Sequence, residues 1–89
     1  MAKGKADKTD KYIGERCRKY RKAQVPAIST LAVGNKLGIS SVMVAYYERG
    51  IYKIPLSRLQ EMVNIYKITL DDVLPKNNSK KEKVGKGNK

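Results

Sequence analysis

The 89-residue chain has no histidine and a single cysteine, Cys17. It therefore lacks the commonest general base and metal ligand, and one thiol cannot form an internal disulfide. Its 8 acidic residues are scattered among basic ones or stand where helices should start. Nowhere do a nucleophile, a base and an oxyanion donor come together in the pattern, so an enzyme is not expected. Neither a metal set nor a cofactor site is visible, and nothing suggests a small-molecule effector. The chain also lacks a long apolar run and a basic amphipathic helix with bulky apolar anchors, which argues against a membrane partner. The opening MAKGKADKTD has no apolar core of the kind a secretory signal needs, so the expected location is cytoplasmic. No period-2 alternation of useful length appears, and no sheet is expected.

Positive charge is what the chain has in quantity. Its 20 Lys and Arg residues give a net charge of +12, spread as +1 over residues 1–10, +6 over 11–75 and +5 over 76–89. The middle of the chain is basic without help from its ends. A polyanion is the natural partner, and nucleic acid fits better than a lipid surface. The length suits one domain. Three parts are expected: a flexible basic arm over residues 1–9, a folded domain over 10–75, and a disordered Lys-rich tail over 76–89.

Spacing within the middle part predicts five short helices. Asp10 is placed to cap a first helix from Lys11 to about Gln24, with Ile13, Cys17, Tyr20 and Gln24 along one side. Cys17 on that stripe reads as core packing and not as a reactive thiol. Pro26 breaks the helix. Ser29 can cap a second helix carrying Leu31, Val33 and Leu37, which stops at Gly38, where a positive φ is easily adopted. Ser40 can cap a third helix with Val44 and Tyr47 facing inward and Ser41, Val42, Met43, Ala45 and Tyr46 facing outward or at the margin. Pro55 suits the first turn of a fourth helix, whose Leu59, Met62, Val63 and Tyr66 form a stripe. Thr69 and Asp72 resemble a capping box for a short fifth helix, with Leu70, Val73 and Leu74 apolar and Pro75 ending it. Two short helices joined at Gly38, from Thr30 to Gly50, are the arrangement with which small basic proteins place a helix in DNA.

The segments IGERCRKYRKA, LAVGNKLGIS, YERG and ITLDDVL resemble the lambda-repressor-like DNA-binding domains of the Xre and Cro type, from about Ile13 to Leu74. The resemblance implies an all-α, compact five-helix domain with its third helix in the major groove. It also implies a homodimer on a palindromic operator whose half-sites lie about 34 Å apart. By position, Arg21 matches an arginine that pairs with an acid at the end of the recognition helix, here Glu48. Ser41, Val42, Ala45 and Tyr46 match positions that read base edges. Thr30, Arg49 and Lys53 match phosphate contacts, and Lys36 is a further basic residue for that role. The segment around Val25-Pro26 is about two residues longer than is common, and Gly34 stands where Ala is frequent.

None of the reading positions is Arg, Lys, Gln or Asn, so bidentate recognition of G or A is not available from them. What remains is apolar contact with thymine methyls and single hydrogen bonds from Ser41 and Tyr46. A transcription repressor is the leading expectation, with its dimer surface at Tyr66, Ile68, Leu70 and Val73. The alternatives are a protein-interaction module, such as an antitoxin or polymerase-associated partner, and a non-specific nucleoid-type DNA binder. Removing residues 76–89 separates the last of these. In a specific regulator the deletion should weaken all DNA binding by a similar factor and flatten its salt dependence while sparing sequence preference. Competition titrations across a salt series would measure this.

Overall fold

The computed structural model describes residues 6–75, in which five helices and no strand occur. Residues 1–5 of the expected arm and the expected tail lie outside the described residues. The first helix, α1 (Lys8–Ala23), begins earlier than the sequence suggested, and Asp7 is its cap in place of Asp10. The reason is a reciprocal pair of bonds. The Asp10 N–H donates to Asp7 Oδ1 at 3.0 Å, and the Asp7 N–H donates to Asp10 Oδ2 at 2.9 Å. The bond from the Asp10 backbone holds the Asp7 carboxyl below its ordinary value. Asp10 is therefore the third residue of the helix, completing a capping box in which aspartate replaces the usual Glu or Gln.

The next two helices are α2 (Thr30–Leu37) and α3 (Ser41–Glu48). Ser29 accepts from the Ala32 N–H at 3.0 Å and Ser40 accepts from the Met43 N–H at 3.1 Å, so both serines act as the caps that spacing predicted. Gly38 joins the helices at φ 77°. The α2 stripe is not the one expected, because Leu31 is 60% exposed while Val33 is fully buried. Two residues along a helix lie on nearly opposite sides, so Val33, Gly34 and Leu37 make the inward face and Leu31 turns out. A Cβ on Gly34 would lie 2.6 Å from the Ile39 carbonyl oxygen. Here the close turn requires glycine where alanine is more usual.

Two further helices close the core: α4 (Leu56–Tyr66) and α5 (Leu70–Val73). Pro55 stands at the N-cap of α4, one residue before its first turn. Leu59, Met62, Val63 and Tyr66 are all buried, as their spacing implied. They meet Ile13, Cys17, Val33, Val44, Tyr47 and Val73 in one apolar cluster. Burial pushes the Cys17 thiol up to about 12, which keeps it protonated and inert at neutral pH. Thr69 and Asp72 form the anticipated capping box of α5. Tyr66 and Val73, expected at a dimer surface, are 1% and 0% exposed and belong to the core of the single chain. So short a domain needs these large side chains to fill its own interior.

Polar side chains tie the frame at its edges. Arg16 donates through Nε to the Asp72 carbonyl at 3.3 Å and through Nη2 to the Tyr20 hydroxyl at 3.0 Å, joining α1 to α5. Gln24 Nε2 donates to the Tyr66 carbonyl at 3.1 Å, joining the end of α1 to the end of α4. That end of α4 is closed by Lys67 at φ 60°, where the Ile68 N–H reaches the Val63 carbonyl at 3.0 Å. A lysine in the left-handed region is strained relative to glycine. Lys67→Gly should raise the unfolding free energy, by up to about 1 kcal/mol after the entropy of the freer unfolded chain is offset. Urea denaturation of the two proteins checks this.

Candidate nucleic-acid interface

The site is built on α3 and on what holds it. Val44 and Tyr47 are buried, so the positions between and before them define the outward surface. Ser41, Val42, Ala45 and Tyr46 follow at i, i+1, i+4 and i+5, which places them along one face. Val42 is 56% exposed; Ser41, Ala45 and Tyr46 are half-buried. Met43 packs against the core cluster and lies at the margin.

The last turn of α3 is fastened to α1. Arg21 donates from Nε to Glu48 Oε2 at 2.6 Å and from Nη2 to Oε1 at 3.0 Å, a two-pronged ion pair. Its remaining Nη1 donates to the Ile28 carbonyl at 2.8 Å, which also fixes the approach to α2. The Glu48 and Arg21 side chains are 3% and 12% exposed, so little water competes. The Glu48 bond raises the Arg21 guanidinium above its usual value against an opposing desolvation. Nearby, Gly14 lets the helices touch: a Cβ there would run into the backbone carbonyls of Tyr47 and Glu48.

An open hollow runs between α1, the start of α2 and α3, lined by Glu15, Arg18, Arg21, Thr30, Ala45, Glu48 and Arg49. Thr30 and Arg49, singled out from the sequence, thus meet at one place next to Ala45. Arg18 joins them there. Spacing alone puts Arg18 with Glu15, Arg16, Lys19 and Lys22 on the faces of α1 away from its apolar stripe, and only the packing of α1 across α3 brings it to this hollow.

Two other basic residues lie differently. Lys53 pairs with Asp10, Nζ to Oδ2 at 3.2 Å, and its side chain is 53% exposed. It is a strap to the first turn of α1 as well as a surface cation. Lys36 lines a separate hollow with Gln24, Val25, Pro26, Ile65 and Lys67. Among the described residues no group of three or more metal-ligating side chains forms, and no helix is long and apolar enough to cross a membrane.

With this geometry in view, the solved structures are informative. The DNA-binding domain of BldD superposes with a TM-score of 0.64 at 26% identity, covering 84% of this chain and all of that one. The S. venezulae BldD DNA-binding domain gives 0.65 at 28% identity, covering 78% of this chain and again all of the other. This chain has the helix-turn-helix fold of DNA-binding regulator domains. A structure of FeII HppE in complex with substrate shares the fold at TM-score 0.64 and 20% identity, but only 34% of that chain is covered. The likeness there is one of fold. No protein-family model matches the chain, and no curated protein matches it in sequence.

In this helix-turn-helix domain the Arg21–Glu48 pair is the element most exposed to a direct test. Glu48→Gln leaves the Arg21 charge without its counterion in a nearly dry place. The unfolding free energy should fall by about 2 to 3 kcal/mol, near the low end for a broken buried pair because the amide oxygen keeps one hydrogen bond. Thermal and chemical denaturation of the variant would show it.

Proposed function

We propose that this chain is a sequence-specific DNA-binding transcription regulator, a repressor that binds a palindromic operator as a homodimer with α3 in the major groove. The observation that carries the reading is the meeting of Thr30, Arg18 and Arg49 along one hollow beside the outward face of α3. A helix flanked by cations and by the start of a second helix suits a duplex, whose phosphates border the groove the helix enters. Similarity to the BldD DNA-binding domain supports the same reading.

In this arrangement Arg18, Arg49 and Thr30 contact phosphates, and Lys53 adds its charge from the Asp10 anchor. Val42 and Ala45 touch thymine methyls, while the Ser41 and Tyr46 hydroxyls supply single hydrogen bonds. Specificity leans toward T-bearing steps and on DNA shape. Because Tyr66 and Val73 serve the core, self-association falls to the half-buried Ile68 and Leu70 and to Leu74, which is 37% exposed. A second reading, a protein-interaction module, is favoured by one observation: Leu31 and Val42 leave apolar surface open to solvent.

Selection from a random duplex pool, followed by competition against scrambled DNA, separates the readings. A regulator should enrich a two-fold symmetric site, bound by two chains in sedimentation, with half-sites one helical turn apart. Equal affinity and equal salt slope on selected and scrambled duplexes would refute specific recognition.

A further inference from the structure

We propose that Tyr52 is a positioning residue for recognition: its ring fixes the ring of Tyr46, and so sets the base preference that Tyr46 imposes. This rests on the reading of α3 as the groove-entering helix. The face of α3 offers no amide or guanidinium to a base edge, so its directional chemistry comes down to two hydroxyls, those of Ser41 and Tyr46. The Ser41 hydroxyl oxygen sits two bonds from the helix backbone and turns about a single torsion. The Tyr46 hydroxyl lies at the far end of a ring that turns about two torsions, and it reads a base well only if the ring is held.

The chain after α3 supplies that support. Gly50, at φ 73°, reverses the backbone. The Gly50 N–H donates to the Tyr47 carbonyl at 3.1 Å and the Ile51 N–H donates to the Tyr46 carbonyl at 2.9 Å, the paired bonds of a helix-ending turn. A side chain on Gly50 would collide with Lys11, so the reversal is seated against α1. Tyr52, two residues after Gly50, is thereby returned over the last turn of the helix. Its ring meets that of Tyr46 edge to face, with centroids 5.6 Å apart and planes at 69°. Such a pair favours one mutual orientation beyond simple area burial. Tyr52 is 40% exposed and stands outside the core cluster, so its packing serves Tyr46 more than the fold.

The test compares duplex selection by the wild-type chain, Tyr46→Phe, Tyr52→Phe, Tyr52→Leu and the Tyr46→Phe/Tyr52→Leu double variant. Tyr52→Phe keeps the ring and should select like the wild type. Tyr52→Leu should lose about two- to tenfold discrimination at the same base position that Tyr46→Phe relaxes, leaving other positions unchanged. In the double variant the two losses should overlap instead of adding. In the free protein, Tyr52→Leu should also move the Tyr46 ring-proton resonances while thermal unfolding shifts little.

Any of these results would overturn the proposal: Tyr52→Leu keeping the wild-type preference whole or weakening all sequences evenly, full additivity in the double variant, or no change of preference in Tyr46→Phe. Absence of any preference in the wild-type chain would remove the parent reading with it. A wild-type preference retained whole in Tyr52→Leu would remove only the role of Tyr52.

Discussion

The bidentate bond between Arg21 and Glu48 is the constraint on which the arrangement of helices depends. A buried carboxylate is costly unless it is paired, and Glu48 has both oxygens engaged by one guanidinium. The same arginine binds the Ile28 carbonyl. One side chain on α1 thus sets where α3 ends and how the chain enters α2. Apolar packing alone fixes this less narrowly, because the hydrophobic effect is non-directional. The ion pair has directional geometry and tolerates little displacement.

Around that pair the chain distributes its chemistry by face. Ile13, Cys17, Val33, Val44 and the α4 stripe fill the interior, leaving the outward face of α3 without a charged side chain. Charge instead stands beside that face, at Arg18 and Arg49. Such a division suits a surface in which flanking cations set affinity and register while the central helix discriminates through shape, methyl contact and hydroxyl geometry.

Much of the fold could be read in advance wherever a local rule decides the outcome. Ser29, Ser40 and the Thr69–Asp72 box act on their own neighbours, and the Leu59–Tyr66 stripe has clean helical spacing. The misses came where a nearby alternative was equally allowed. Asp7 and Asp10 can both cap a helix, and only their reciprocal bonding moved the start of α1 forward. Leu31 looked apolar and therefore inward, although its angle to Val33 forbids both being buried. The site was less legible, since Arg18 shares a hollow with Thr30 and Arg49 through a helix crossing that sequence spacing does not encode. Lys53 pairs with an acid 43 positions away. Tyr66 and Val73 proved interior, and nothing local in the sequence distinguishes an interior side chain of this kind from one offered to a second copy.

The close seating of α1 on the end of α3 has a mechanical consequence. Gly14 abuts the Tyr47 and Glu48 carbonyls, Lys11 abuts Gly50, and Asp10 holds Lys53. All these fixings grip the C-terminal end of α3 or the chain just beyond it, while at the other end Gly34 abuts the Ile39 and Ser40 carbonyls. The helix is a beam seated at both ends, on α1 and on α2. Eight residues make a span of about 12 Å, so a tilt of about 5° shifts one end against the other by about 1 Å. That displacement is comparable to the whole tolerance of a hydrogen-bonded contact. Small changes in either seat, away from the outward face itself, are thereby passed to the side chains between them.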